Sequence, residues 1–247
     1  MGAPTDLSVQ LYSVRTPLAA DFAGTLSRLR DIGFTRVEPF GMLDHAAELK
    51  AGLADNGFSA PTTHQSLDDV DLGRVFATAA GLGIGTVIQP VTRPEQWTSR
   101  QDVERVATLL NTAAAKAAEH GVRVGYHNHD WELRLLLDGT TSLEVLAELV
   151  DPAVVLEVDT YWAYVGGADV PALLERLGER VVALHIKDGD GSLDNKKQVA
   201  VGSGSVPVDD YMAAAPAALF VVELDDSEGD LVEAVGASRE FLVGGAR

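Results

Sequence analysis

Short apolar runs alternate with amphipathic stretches along the whole chain, and this alternation occurs eight times. The apolar runs are rich in Val, Ile and Leu, as expected of parallel strands that are covered on both faces. The predicted strands are Leu7–Leu11, Phe34–Glu38, Ala60–His64, Thr86–Gln89, Val122–His127, Val154–Asp159, Val181–Lys187 and Leu219–Glu223. Their starts lie roughly 25 to 38 residues apart, which corresponds to one βα unit per interval.

The stretches between the predicted strands carry helix signals. Pro17 is suited to the N1 position of a first helix, whose apolar residues recur at helical spacing until Gly33 ends it. The other clear helices are predicted over Val103–Glu119, Leu143–Leu149 and Leu173–Leu177. Strands that alternate with helices indicate an α/β protein with a parallel sheet, and eight such units predict a (β/α)8 TIM barrel. No linker or shift in composition divides residues 1–247, so we expect a single domain.

A doubly wound open sheet is the competing architecture. It would require a Gly-rich dinucleotide-binding turn after an early strand, and the segment Gln10–Arg15 is not such a turn. The barrel is therefore favoured.

Composition and charge exclude several classes of function. Of the 247 residues, 46% are hydrophobic and 23% charged, which is sufficient for a large core. The 19 Lys plus Arg and 37 Asp plus Glu give a formal charge of −18, and no basic cluster offers a footprint for nucleic acid. The absence of cysteine excludes disulfides, thiol nucleophiles and Cys-ligated metal centres.

Targeting signals are equally sparse. No apolar run reaches the roughly 18 residues that a membrane-spanning helix needs. The segment Met1–Asp6 lacks the basic and apolar parts of a signal peptide. We expect a cytoplasmic protein without a membrane partner. The sequence leaves open whether the protein forms a homo-oligomer.

Polar residues end every predicted strand, at the face where a (β/α)8 barrel forms its active site. They are Gln10, Glu38, His64, Gln89, His127, Asp159, His185 and Glu223, with His129, Glu132 and Lys187 close behind. One such residue is compatible with a structural salt bridge. Burying so many without partners would cost several kcal/mol each, and a divalent cation provides a common partner. The mixed nitrogen and oxygen donors suit Mn²⁺, Co²⁺, Zn²⁺ or Mg²⁺.

Several segments resemble the xylose isomerase-like TIM barrel superfamily, the group of sugar isomerases, epimerases and related dehydratases that also includes endonuclease IV. The segments are Gln10–Arg15, Gly33–Glu38, Gly125–Glu132, Asp159–Trp162, His185–Asp188 and the strand end at Glu223. The resemblance implies one divalent metal, which the sugar epimerases of the family hold with Glu, Asp, His and Glu from strands five to eight. The last three positions match Asp159, His185 and Glu223.

The chain departs from the family at the strand-five ligand, where His127 replaces the expected Glu. Imidazole also binds metals, so the expected ligands are His127, Asp159, His185 and Glu223, with His129 or Glu38 as substitutes for the first. Two-base epimerases of the family use the missing Glu as a proton-transfer partner of the last one. Its loss leaves isomerisation, or elimination next to a ketone, at least as open as epimerisation. The endonuclease branch expects a further His where Trp162 stands, and the charge of −18 also disfavours DNA.

The remaining site residues receive roles from their places in the barrel mouth. Catalytic roles are predicted for Glu38, His129, Lys187 and Glu223. Substrate contacts are predicted for Gln10, His64, Gln89, Glu132 and Trp162. Structural alternatives stay open: Lys187 paired with a carboxylate such as Glu157, Glu38 paired with Arg15, and Trp131 and Trp162 as aromatic residues of the rim. Glu38 is expected to lie too far around the ring to be an easy metal ligand.

These observations predict a metal-dependent sugar isomerase or epimerase, in which the metal acts as a Lewis acid on a keto sugar or polyol and proton transfer gives an enediolate. A dehydratase or lyase acting on a keto sugar, of the inosose or 3-keto-glycoside type, would use the same site and stays open. So does a non-catalytic sugar-binding barrel. The lack of a Gly-rich phosphate cradle favours an unphosphorylated carbohydrate. The loop from Asp188 to Gly204 is predicted to be flexible and lid-like.

Overall fold

Eight parallel strands form a nearly closed barrel in the computed structural model, which describes residues 7–244. The barrel strands are β1 Ser8–Gln10, β2 Arg36–Glu38, β3 Thr62–His64, β4 Thr86–Gln89, β5 Arg123–His127, β6 Val155–Asp159, β7 Val181–Ile186 and β8 Leu219–Val222. Hydrogen-bonded neighbours follow the order β2-β1-β8-β7-β6-β5-β4-β3. Short parallel bridges from Arg36 to Ser59 and from Phe40 to His64 join β2 to β3. The predicted (β/α)8 TIM barrel is confirmed.

Helices connect the strands and pack around the barrel. They are α1 Arg15–Ala20, α2 Phe22–Ile32, α3 Met42–Asn56, α4 Leu72–Leu82, α5 Arg100–Ala118, α6 Trp131–Arg134, α7 Ser142–Leu149, α8 Thr160–Val165, α9 Val170–Leu177, α10 Val208–Ala214 and α11 Leu231–Gly244. Short 3-10 turns occupy Leu11–Val14, Pro94–Trp97, Gly178–Arg180 and Asn195–Lys197. Two antiparallel pairs lie in loops, one joining Leu136–Leu137 to Thr140–Thr141 and one joining Asp188–Gly189 to Gln198–Val199.

The first predicted helix is in fact two helices. The 3-10 turn Leu11–Val14 leads directly into α1, so α1 begins at Arg15 and the expectation that Pro17 occupies its first position is wrong. The chain is extended at Asp21, whose carboxylate accepts a hydrogen bond from the backbone N–H of Gly24 at 2.9 Å. This N-cap starts α2 as a separate helix.

The alternation of side chains along each strand sorts the barrel into an apolar outer face and a polar interior. Val9, Val158 and Leu184 are completely buried in the hydrophobic core. Their neighbours Gln10, Glu157 and His185 are also completely buried, but they belong to the opposite face. The apolar face supports the helices, and the polar face places ionisable groups around the barrel axis.

Residues 1–6, on which the expectation about a signal peptide rests, lie outside the described part of the chain. Within residues 7–244, no helix combines the length and the apolar composition that a membrane span requires.

Candidate metal centre and active site

Six strand ends bring ionisable side chains into one buried cluster inside the barrel. Its members are Glu38, His64, His127, Glu157, Asp159, His185, Lys187 and Glu223, each at most 8% exposed. All except Glu157 were assigned site roles from the sequence. Because Glu157 shares a face of β6 with Asp159, strand alternation was the signal that could have included it.

Glu157 lies at the centre of the three imidazoles. Its Oε2 is 2.6 Å from His64 Nε2, 3.1 Å from His185 Nε2 and 3.2 Å from His127 Nδ1. Its other oxygen, Oε1, is buried and has no hydrogen-bond partner among the described residues. Burial raises the pKa of Glu157, but the imidazoles of His185 and His64 outweigh it and hold this pKa well below its usual range.

A second pair of carboxylates meets the opposite nitrogens of the same rings. Asp159 Oδ2 lies 3.7 Å from His127 Nε2, and Glu223 Oε2 lies 2.6 Å from His185 Nδ1. Two sets of residues therefore have ligand atoms within 4.8 Å of one another. We call His64, His127, Glu157 and His185 the inner group, and His127, Asp159, His185 and Glu223 the outer group. The outer group is the ligand set predicted from the sequence.

Lys187 adds a buried cation beside the outer group. Its ammonium lies 2.8 Å from Asp159 Oδ2, 2.7 Å from Glu223 Oε2 and 2.8 Å from an oxygen of Asp225. Lys187 is therefore paired with carboxylates, as the structural alternative expected, with these three as its partners in place of Glu157. Burial lowers the pKa of Lys187, but the carboxylates outweigh burial and raise this pKa well above its usual value.

Glu38 reaches the same cluster from β2. Its Oε1 accepts a hydrogen bond from Gln10 Nε2 at 2.8 Å and lies 2.7 Å from His185 Nε2. The side chains of Glu38 and His185 thus meet inside the barrel, although neither ligand group includes Glu38, which was not expected to be an easy metal ligand. Arg15 instead donates a hydrogen bond to the backbone of Tyr12 and lies over its ring. Burial and the nearby Glu157 raise the pKa of Glu38.

The three clustered imidazoles differ in their electrostatic surroundings. Burial lowers the pKa of His185, but Glu157, Glu223 and Glu38 outweigh it and raise this pKa well above its usual value. Burial also lowers the pKa of His64, but the carboxylates of Glu38 and Glu157 outweigh it and raise this pKa above its usual value. Burial and the neighbouring His185 lower the pKa of His127 well below its usual value.

The donor set fits a divalent cation. Glu157 Oε1, Glu38 Oε2 and His127 Nδ1 are buried without hydrogen-bond partners in the part of the chain that the structure describes. Such groups are costly unless something binds them, and mixed imidazole and carboxylate donors suit Mn²⁺, Co²⁺ or Zn²⁺. The cluster thus contains suitable ligands, and several of their oxygen and nitrogen atoms are available to bind a metal.

Two residues predicted to contact substrate form hydrogen bonds with neighbouring residues instead. Gln89 accepts a hydrogen bond from the backbone of Leu67 and donates one to the backbone of Val91, each at 2.7 Å. Glu132, completely buried, accepts hydrogen bonds from the Tyr126 hydroxyl at 2.6 Å and from the backbone N–H of His129 at 2.9 Å. Burial raises the pKa of Glu132 to about 8. Both side chains therefore hold neighbouring residues through these bonds.

Aromatic side chains flank the cluster. The ring of His129 stacks on Trp131, with centroids 4.4 Å apart and an angle of 5° between the planes. Burial and Lys187 lower the pKa of His129 to about 4, so its ring is neutral near pH 7. Trp162 lies beneath Lys187, whose ammonium is 5.7 Å from the ring centroid. Among residues 7–244, the indole N–H groups of Trp131 and Trp162 have no hydrogen-bond partner.

The loop after β7, predicted to be flexible, is tied to the barrel at its base. The buried carboxylate of Asp188 accepts backbone hydrogen bonds from four residues, with distances of 2.8 to 3.1 Å; they are Gly189, Gly202, Gly204 and Val206. Gln198 donates to the carboxylate of Asp225 at 2.8 Å and accepts from its backbone N–H at 2.7 Å. The loop therefore also positions Asp225 against Lys187.

Known proteins share this architecture. An inosose dehydratase of Geobacillus kaustophilus is 28% identical over 178 residues, or 66% of this chain and 57% of that protein. The chain thus spans little more than half the length of that relative. A sugar phosphate isomerase/epimerase from Parabacteroides distasonis has a structure with a TM-score of 0.83 and 25% identity, covering 98% of this chain and 94% of that one.

The IOLI protein, whose structure has a zinc atom bound, gives a TM-score of 0.73 at 15% identity, covering 97% of this chain and 98% of that one. The family model described as xylose isomerase-like TIM barrel matches residues 26–242. The chain belongs to the xylose isomerase-like TIM barrel family.

Proposed function

We propose that the protein is a divalent-metal-dependent sugar isomerase or epimerase that acts on a keto sugar or polyol through an enediolate. The observation that carries the proposal is the buried cluster, in which carboxylates and imidazoles from six strands converge while Glu157 Oε1 and Glu38 Oε2 have no hydrogen-bond partner among the described residues. Relatives named as an inosose dehydratase and a sugar phosphate isomerase/epimerase support chemistry next to a ketone.

A bound Mn²⁺, Co²⁺, Zn²⁺ or Mg²⁺ would supply Lewis acidity toward the substrate carbonyl. His127 and His185 are common to both ligand groups and would hold it. The zinc atom of the structurally similar IOLI protein supports a metal in this fold.

Glu38 is the proposed base. Its Oε1 is engaged by Gln10 and His185, so Oε2 is the oxygen free to take a proton from the carbon beside the carbonyl. Gln10 thereby positions the base, a more specific role than the direct substrate contact expected from the sequence. Glu223 is the proposed partner that returns the proton on the other side, and Lys187 stabilises the negative charge that develops on the substrate oxygen.

The side chains around the cluster would bind the carbohydrate. Trp162 and the stacked pair of His129 and Trp131 offer flat faces and unpartnered N–H groups to its hydroxyls. His64 contacts substrate or metal from β3. We assign Gln89 and Glu132 to holding the loops that carry these contacts, because their polar atoms are already engaged.

A dehydratase or lyase acting on a keto sugar, of the inosose or 3-keto-glycoside type, is the second candidate. Two observations favour it: the relative named inosose dehydratase, and His127 in the place of the family's strand-five Glu. With one carboxylate of the symmetrical pair missing, Glu38 can still take the proton beside the carbonyl and return it to the departing β-hydroxyl, which leaves as water. This elimination requires no second carboxylate on β5.

Solvent-deuterium exchange followed by NMR tests both candidates. The metal-loaded protein is incubated in D₂O with keto sugars, inositol ketones and 3-keto-glycosides. An isomerase or epimerase incorporates deuterium beside the carbonyl and produces an isomeric ketone. A dehydratase produces an unsaturated or rearranged ketone with loss of water. Ligand-dependent shifts without any exchange, equal in the protein and in Glu38→Gln, would instead identify a sugar-binding barrel and refute both enzymatic proposals.

A further inference from the structure

Two overlapping ligand groups raise the question of which one receives the metal. They share His127 and His185 but use opposite ring nitrogens. Toward the inner group, His127 presents Nδ1 and His185 presents Nε2, both within 3.2 Å of Glu157 Oε2. Toward the outer group, His127 presents Nε2 to Asp159, and His185 presents Nδ1 to Glu223. One ring therefore cannot serve both groups through the same nitrogen.

The outer group already has a cation. The ammonium of Lys187 is 2.8 Å from Asp159 Oδ2 and 2.7 Å from Glu223 Oε2, the oxygens that lie nearest the imidazoles. A dication bound between these oxygens would have to displace the ammonium or share the oxygens with it. Two like charges a few ångströms apart in a buried site repel strongly, so Lys187 disfavours metal in the outer group.

In the inner group, the ion-pair partners of the carboxylate are imidazoles and not an ammonium. Glu157 contacts the three imidazoles, and its Oε1 has no hydrogen-bond partner among residues 7–244. Ligand atoms of a tetrahedral zinc with bonds of about 2.0 Å lie about 3.3 Å apart. The distances from Glu157 Oε2 to the imidazole nitrogens, 2.6 to 3.2 Å, are close to this value.

The outer carboxylates then have a different use. A metal-bound histidine commonly donates its second ring N–H to a carboxylate, which fixes the ring and increases its basicity. If His185 binds through Nε2, its Nδ1–H donates to Glu223 Oε2 at 2.6 Å. Asp159 stands near Nε2 of His127 at 3.7 Å in the corresponding place.

From these contacts we propose that the metal binds at the inner group, His64, His127, Glu157 and His185, while Asp159 and Glu223 orient the histidines and pair with Lys187. This inference rests on the proposed metal dependence and specifies its ligands: three imidazoles and one carboxylate. It assigns Glu157 as a ligand in place of the carboxylate that β5 lacks. Glu223 remains available for proton transfer because it is not a ligand.

X-ray absorption at the zinc edge of the zinc-loaded wild-type protein is the direct test. The inner group gives three imidazole ligands, and the outer group gives two. Two imidazoles with two carboxylates would overturn the inference. This measurement requires no variant, so it is independent of folding defects.

The zinc affinities of two matched pairs of variants provide a second test of which group binds the metal. His64→Gln and Glu157→Gln should weaken zinc binding by more than about 100-fold. Asp159→Asn and Glu223→Gln should weaken it by about 10- to 100-fold, the effect usual for outer partners of a ligand. Far-UV circular dichroism of each metal-free variant controls for folding. The reverse order of effects would overturn the inference and leave the proposed function intact. A wild-type protein that binds no divalent metal would refute the proposed function itself.

Discussion

Glu157 and Glu132 are two completely buried glutamates on either side of the β5 strand end, yet their surroundings are opposite. Glu132 is bonded by uncharged donors, a tyrosine hydroxyl and a backbone N–H, and burial raises its pKa to about 8. Although burial also raises the pKa of Glu157, the imidazoles of His185 and His64 hold it well below the usual range. Burial alone therefore does not mark a functional carboxylate. Glu157 differs from Glu132 in that ionisable side chains surround it and one of its oxygens has no hydrogen-bond partner among the described residues.

Among the residues of the buried cluster, replacement of the proposed base Glu38 should reduce activity most. Glu38→Gln keeps the shape of the side chain but cannot accept a proton, so we expect kcat to fall by about 10²- to 10⁴-fold while the metal stays bound. Steady-state kinetics with the substrate found by deuterium exchange, together with metal analysis, measure both quantities. An increase in KM with kcat nearly intact would reduce Glu38 to a substrate contact and move the proton transfer to His129.

Removal of the buried ammonium of Lys187 tests whether the cluster, unlike Glu132, depends on compensating charges for its stability. Lys187→Met leaves Asp159, Glu223 and Asp225 without their shared cation. Breaking a buried pair typically costs about 3–5 kcal/mol of unfolding free energy. Urea denaturation of the metal-free protein measures the loss. Lys197→Met is the matched control, because its pair with Glu228 is exposed, and it should unfold like the wild type. Equal stability of the two variants would contradict the role given to Lys187.

The protonation of Glu132 should instead be detectable in the pH dependence of the free energy of unfolding. The raised pKa means that the folded protein retains a proton that the unfolded chain releases, so this contribution to stability is complete below about pH 4.5 and is lost as the pH rises to about 8. Glu132→Gln removes the titration. Its amide oxygen can accept from the backbone N–H of His129 while its NH₂ donates to the Tyr126 hydroxyl, so two hydrogen bonds are kept and that to Tyr126 is reversed. We expect the variant to gain stability relative to the wild type by up to about 1.4 kcal/mol for each pH unit between pH 5 and 8.

Denaturation at several pH values measures this difference, and Glu144→Gln serves as a control of opposite sign. Burial raises the pKa of Glu144, but hydrogen bonds from Arg176 and Thr141 outweigh it and lower this pKa. Its stabilising contribution is therefore lost as the pH falls. A Glu132→Gln variant whose stability parallels that of the wild type over this range would show that Glu132 is not protonated in the folded state.

The fold and most of the cluster could be predicted from the sequence because both depend on local order. The eight apolar runs define the strands, and the residue ending each run marks the barrel mouth. What the sequence could not supply is the identity of long-range partners. Gln89 and Glu132 follow strands as the other site residues do, but the backbone of Leu67 and the hydroxyl of Tyr126 engage them. The direct contact between Glu38 and His185 is a further example, because a position around the ring does not give the reach of a side chain toward the barrel axis.

The loop after β7 has a consequence for protein engineering. Because the carboxylate of Asp188 organises the backbone from Gly189 to Val206, this segment behaves as a folded insert whose anchor lies in the barrel. A chimera that transplants the loop into a related barrel would need to carry Asp188 and Gln198 with it. New sequence would be tolerated best around Leu193, which is 58% exposed at the tip. The tip alone could thus be exchanged with Lys187 and its carboxylates left in place.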